Sequence, residues 1–250
     1  MSVKSHGFFC YYLIVTLNMI NTYEFLWKRL ADYAKKFQSG MDVVDEFNTR
    51  LAEVQLELVN TLAPYYQVNE KVRSIMSIWV RSLSGTSSST GLIVRPPVVD
   101  GVEFMRVLSM GYVNSTGLMS FDISQTTEGE IVIANRIPQR RPSIAKRIVN
   151  YVSVGNTIQL YPQQAIQYSM FYLVYPKEAK IAFAYTSIDD EDVMTLDVAN
   201  TVNLAWDKTA ANIILYMMME KYGVGNREML LVEYGKLGIN ASLNEGGSND

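Results

Sequence analysis

The segment Ile213-Ile214-Leu215-Tyr216-Met217-Met218-Met219 is apolar almost all round. At helical spacing it leaves no polar stripe for water, so other elements must cover it. The helical pattern begins near Asp207, and Gly223 is a suitable C-terminal stop. Partners with free apolar faces occur near the N-terminus. Tyr23, Leu26, Trp27, Leu30, Ala34 and Phe37 recur at helical spacing behind Asn21 and Glu24, which have the separation of a capping pair; Ser39-Gly40 closes this segment. Asp42 is placed to cap a second helix, whose stripe is Val44, Phe47, Leu51, Val54 and Leu58 and which Pro64 interrupts. A third helix is expected from Asn69, with Val72, Ile75, Met76, Trp79, Val80 and Leu83 on one face. Short connections make such helices antiparallel neighbours. A further short helix is expected from Asn226 to Tyr234.

The pattern changes after Leu83. Ser84-Gly85-Thr86-Ser87-Ser88-Ser89-Thr90 reads by composition as a flexible linker. From Gly91 to about Asn203, short runs rich in β-branched and aromatic residues alternate with turn residues. The expected strands are Leu92–Arg95, Phe104–Val113, Glu130–Asn135, Thr157–Tyr161, Tyr168–Val174 and Ile181–Thr186, with turns at Glu128-Gly129 and Gly155-Asn156. The fold class expected is α+β. Residues 22–83 and 204–236 form an antiparallel helical bundle, residues 84–203 an inserted small antiparallel β domain, and residues 237–250 a flexible tail.

Residues 1–21 stand apart. Phe8 to Ile20 is a nearly continuous apolar run, shorter than the ~20 residues of a membrane-spanning helix. It has the length of a signal-peptide core without a small-x-small cleavage site behind it. Met19 sits just before ordinary helix-start residues, so the run is expected to be an early-start artefact or a packed arm.

Charge and residue content narrow the function classes. The net charge is −3, and the one dense basic stretch, Arg136 to Arg147, is broken by Pro138 and Pro142, so it reads as a solvated loop rather than a nucleic-acid footprint. One His and one Cys, His6 and Cys10, are too few for a catalytic triad or a zinc site. The single Cys also fits a reducing compartment. No Walker A pattern occurs, and Gly223-Val224-Gly225 follows a helix rather than a strand, so neither nucleotide fingerprint is met. The acidic run Asp189-Asp190-Glu191-Asp192 offers oxygen ligands for a hard cation, but its spacing is not that of an EF-hand, and a solvated turn explains it more simply. Neither a cofactor nor a catalytic set is expected. Tyr, at 16 residues, and Met, at 13, are abundant, and both types are enriched at protein interfaces. Interface anchors are expected at Trp27, Tyr65, Tyr66, Trp79 and Tyr175, although each judged alone is also core material.

Several stretches, taken in order, carry a resemblance. They are Leu62-Ala63-Pro64-Tyr65-Tyr66-Gln67-Val68-Asn69-Glu70, Gly155-Asn156-Thr157-Ile158-Gln159-Leu160-Tyr161-Pro162, Tyr172-Leu173-Val174-Tyr175-Pro176-Lys177, Val202-Asn203-Leu204-Ala205-Trp206-Asp207 and Tyr222-Gly223-Val224-Gly225-Asn226-Arg227-Glu228. Over roughly residues 22–235 the chain resembles virion structural proteins of tailed phages, including crAss-like phages, and among them the neck or ring proteins between portal and tail. The resemblance implies a homo-oligomeric ring of about twelve copies, docked to the phage portal protein and adjacent neck or tail proteins. It also implies a lumen through which DNA passes without sequence-specific binding, a location in the virion and no membrane contact. Three other classes compete: another tail or baseplate protein, a carboxylate-dependent hydrolase using Asp189, Asp190 or Asp192, and a secreted binding module.

Overall fold

Helices and antiparallel sheets share the chain, which the computed structural model describes over residues 20–36, 44–98, 101–114, 116–188 and 191–225. The described residues divide into two compact units. One takes the chain up to Tyr65, Asn69–Ile78 and the chain from Pro176 onward; the other takes Tyr66–Val68 and Trp79–Tyr175. The second unit therefore closes at Tyr175, and the last two strands fall in the first unit rather than with the other strands.

The first unit opens with a π-helical turn, Tyr23–Trp27, whose start is held by the Glu24 N–H donating to Asn21 Oδ1 at 3.1 Å. Helix α1, Lys28–Lys36, continues it, and α2 spans Val44–Leu62. The buried positions of α2 are Phe47, Leu51, Val54, Gln55, Leu58, Val59 and Leu62, the expected stripe widened by its neighbours. Pro64 falls in a 3₁₀ turn, Ala63–Tyr65, that ends α2. Helix α3, Glu70–Met76, is capped by Asn69, whose side chain accepts from the Val72 N–H.

Three contacts tie distant parts of this unit together. The Asn48 side chain donates to the Ile181 carbonyl at 2.9 Å and accepts from the Ile181 N–H at 2.8 Å. Trp206, fully buried, donates from Nε1 to Gln55 Oε1 at 3.2 Å. Thr22, also buried, donates to the Val202 carbonyl at 3.1 Å. Strands β9, Phe183–Ile188, and β10, Glu191–Leu196, pair antiparallel.

The apolar helix expected near Ile213 is α5, Lys208–Gly225, and Asp207 Oδ1 accepts from the Ala210 N–H at 2.7 Å at its start. Ala210, Ala211, Ile213, Ile214, Leu215, Met218, Met219 and Tyr222 are all buried, as an all-round apolar helix requires. It packs against α2. There the Arg50 guanidinium donates to the Lys221 carbonyl at 3.0 Å and lies over the Tyr222 ring, while Lys221 Nζ reaches Glu57 at 2.8 Å. Among the described residues no helix is long and apolar enough to cross a membrane.

The second unit holds two four-stranded sheets. The first has the order β1-β8-β3-β4, from Val80–Thr86, Gln167–Val174, Phe104–Val113 and Met119–Asp122, all antiparallel. The second has the order β2-β7-β6-β5, from Leu92–Val94, Thr157–Tyr161, Asn150–Val154 and Ser124–Gln125; only the short β5–β6 pair is parallel. Alternate residues of β8, Tyr168, Met170, Tyr172 and Val174, are buried, as are Ile93, Ile158, Leu160 and Tyr151 in the other sheet. These faces supply the core of the unit.

Four expectations are corrected here. The third helix stops at Met76; after a 3₁₀ turn, Ser77–Trp79, Val80 to Leu83 belong to β1, where Val80 pairs with Leu173 and Leu83 with Met170. A nonlocal ladder there overrides a stripe that also fits helical spacing. The Ser84–Thr90 stretch is no flexible linker. Ser84 to Thr86 complete β1, and Ser87 is buried with its N–H on the Ile166 carbonyl and its hydroxyl accepting from the Ile166 N–H at 2.9 Å. Glu130–Asn135 is not a strand: it lies in helix α4, Glu128–Arg136, so Glu128-Gly129 opens a helix rather than a turn. Strands β4, β5, β6 and β10 were not expected. The Gly155-Asn156 turn is present, joining β6 to β7 with Gly155 at φ 50°.

Candidate functional site

The five expected anchors are divided between the units, Trp27 and Tyr65 in the first and Tyr66, Trp79 and Tyr175 in the second. In the first unit, the Trp27 ring meets Phe47 edge-on at 5.0 Å and Phe183 at 5.7 Å, so it is occupied within its own protomer. Tyr65, at the end of the 3₁₀ turn, is 56% exposed. In the second unit Tyr66 is half-buried and Tyr175 is 43% exposed, with its N–H on the Glu103 carbonyl. Trp79 is 3% exposed and belongs to the core; burial this complete removes it from any surface the folded protomer offers.

Of the acidic run, Asp189 and Asp190 lie outside the described residues, while Glu191 and Asp192 begin β10 opposite Ile188 and Ser187. His6, Cys10, Asp42, Ser39-Gly40, the 226–234 segment and the tail also lie outside them. Among the described residues no group of three His, Cys, Asp or Glu side chains is placed to hold a metal ion.

The second unit presents large apolar side chains that the aromatic bets missed. Val94 of β2 and Val154 of β6 both pair with Thr157 of β7, so the three form one cross-strand row; Val94 is 72% exposed. Phe171 stands on the outer face of β8 between Ser82 and Ser109, its partners on β1 and β3. Ser84 and Ser169 hydroxyls bond on the same face, and Met119 covers Gly111, where there is no Cβ to meet it. Such a face, small and polar apart from Phe171 and Met119, is shaped by what those two side chains leave open.

Helix α4 is also largely exposed. It starts where the Thr127 hydroxyl accepts from the Glu130 N–H and the Glu130 carboxylate accepts from the Thr127 N–H at 2.9 Å, with a further bond from the Thr126 hydroxyl at 2.8 Å. The Thr127 N–H, with these hydroxyls, holds the Glu130 carboxyl below its ordinary pKa. Only Ile131 of the helix is buried. Val132 and Ile133 are 52% and 56% exposed. A single inward residue is a thin attachment for a helix, and its apolar neighbours are left facing water.

The basic stretch Arg136–Arg147 begins at the last residue of α4 and continues as a structured loop. Ser143 and Ile148 exchange backbone hydrogen bonds, the Arg141 guanidinium donates to the Asn135 carbonyl, and Lys146 Nζ donates to the Pro138 carbonyl at 2.7 Å. Arg141 thus ties the loop to the last turn of α4, and Lys146 ties it to its own backbone. The signal that marked α4 in the sequence is the Thr127-x-x-Glu130 spacing, which the β-branched run Ile131-Val132-Ile133 masks.

These features can bury apolar surface against another macromolecule; they assemble no nucleophile, base and oxyanion donors around a reacting atom. Compared with known proteins, the chain matches no protein-family model and no curated protein.

Proposed function

We propose that this chain is a non-catalytic structural subunit of a phage head-to-tail connector, a neck-ring protein that joins portal to tail around a DNA passage. The observation that carries the reading is the set of large apolar side chains left open on the second unit, Val94 with Val154 and Val132 with Ile133. Exposed apolar side chains grouped on one face are a mark of chains that complete their burial against partners. The specific role rests on the ordered resemblance over residues 22–235.

In this reading helices α1, α2, α3 and α5 form one bundle, and the strands of Trp79–Tyr175 with α4 form an inserted β domain. Two unlike parts provide the two unlike patches that a head-to-tail contact needs, and such contacts close into rings when the rotation allows. The ring has about twelve copies, sits in the virion on the portal, and contacts adjacent neck or tail proteins. A chain of net charge −3 suits a lumen through which DNA slides without sticking, because phosphates gain nothing from an acidic wall.

The test is the assembly state of the full chain, and of a version begun at Met19, by light scattering and negative-stain electron microscopy, alone and with a portal protein. Closed rings, alone or on the portal, are expected. A monodisperse monomer that ignores the portal would overturn the reading.

A further inference from the structure

Helix α4 carries a second feature beyond its exposed apolar pair. Glu128, Val132 and Arg136 are spaced by four and share one stripe, with Gly129 and Ile133 beside it and Ile131 turned into the fold. The stripe is therefore acidic at the helix N-terminus, apolar in the middle and basic at the C-terminus. Glu128 and Arg136 lie about 12 Å apart along the axis. That is too far to neutralise each other, and neither forms an ion pair with a described residue. Gly129 adds no bulk, since a Cβ there would meet nothing within 4 Å.

This pattern is complementary to itself when reversed. We infer that α4 is a two-fold self-association contact, in which the α4 helices of two copies of this chain pack antiparallel with the axis at Val132. Glu128 of each copy then faces Arg136 of the other, so both charged ends are matched at once. Val132 meets Val132, Ile133 is covered beside it, and the opposed helix dipoles align favourably. Exposed Arg140, just past the helix, adds positive charge near the mate's acidic end. Glu130 takes no part, because its carboxylate is turned back onto Thr126 and Thr127.

The contact goes beyond the ring reading and does not depend on it: a head-to-tail ring uses two different patches, whereas this face meets its own copy. A helix of nine residues falls well short of the ~800 Å² per partner of a standard interface. The contact is thus weak between free protomers and strengthens when another contact already holds copies together.

Cross-linking reads a weak contact directly. In a Cys10→Ser background, Val132→Cys is oxidised with copper–phenanthroline, with Val98→Cys, similarly exposed in the same unit, as the control. A disulfide-linked dimer is expected from the first and not the second. Glu128→Arg or Arg136→Glu added singly should abolish that dimer; the double reversal, and an equimolar mixture of the two single reversals, should restore it. Unfolding midpoints of the reversal variants report whether each remains folded. Absence of the Val132→Cys dimer, or reversals in folded variants that neither abolish nor rescue it, would overturn the contact. Rings seen or not seen by microscopy bear on the connector reading alone.

Discussion

Asn48 of α2 and the Ile181 backbone exchange two hydrogen bonds, so one side chain acts toward Ile181 as a neighbouring strand would. The amide is needed in both senses, as donor and as acceptor. Asn48→Leu should strand the Ile181 N–H and carbonyl together and cost about 2–4 kcal/mol. Asn48→Asp keeps the acceptor, loses the donor and should fall between. Urea unfolding midpoints at fixed pH measure both, and equal stability of Asn48→Leu and wild type would refute the clamp.

Two glycines should respond oppositely to a methyl group. Gly91 has φ 78°, and a Cβ there would lie 2.8 Å from the Leu160 carbonyl oxygen, which is backbone and cannot swing away. Gly91→Ala should cost about 2 kcal/mol or more, from left-handed strain plus displacement of the β2–β7 ladder. At Gly111 the obstacle is the Sδ and Cγ of the flexible, exposed Met119 side chain, and φ is ordinary. Gly111→Ala should change stability by less than about 1 kcal/mol, with Met119 rotated off β3. Thermal midpoints of the two variants provide the comparison.

Burial pushes the Tyr151 hydroxyl up to about 12, from the model-peptide 10. Its folded state therefore holds the proton more tightly than the unfolded state. The stabilisation is present below pH 10 and is lost as pH rises through the interval from 10 to about 12. Tyr168 is shifted the same way by burial. Tyr151→Phe should be flatter than wild type across this interval while losing the hydroxyl contact to Gln125. Identical alkaline unfolding curves would remove Tyr151 as a cause.

Glu130 provides the acid counterpart. Its pKa is lowered first by the Thr127 N–H, then by the Thr126 and Thr127 hydroxyls. Its contribution is present above pH 4.5 and is lost as pH falls through the lower folded value. With intrinsic exchange rates divided out, protection of the α4 amide hydrogens should fall on acidification, and Glu130→Gln should show lower protection already at neutral pH with less further acid response. Acid-independent protection of the α4 amides in the wild type would contradict the capping role.

Helix α2 and strands β7 and β8 were legible because their burial follows one local period, three-to-four or two, whereas helix α5 was legible as an all-round apolar run and β3 from its β-branched and aromatic content between turns. Strand β1 was not. Val72, Ile75, Met76, Trp79, Val80 and Leu83 continue a helical spacing without a break, and the register that makes Val80–Thr86 a strand comes from β8, some ninety residues downstream. Helix α4 failed for the opposite reason: three β-branched residues spoke for a strand while a local capping box settled the matter. The surface was less legible than the fold. Trp79 and Val132 are both apolar letters in short apolar runs, and only tertiary packing decides that one is enclosed and the other left outside.

The pairing of Val80 with Leu173 means that the stretch from Trp79 to Tyr175 leaves the fold beside the place where it came in. A segment with adjoining ends behaves as a cassette. Its two ends can be joined by a brief linker, with new termini opened at an exposed turn such as Gly155-Asn156. Evolution has the same freedom, since the strands and α4 can diverge toward a new neighbour without any change in the length of chain that the flanking residues must span.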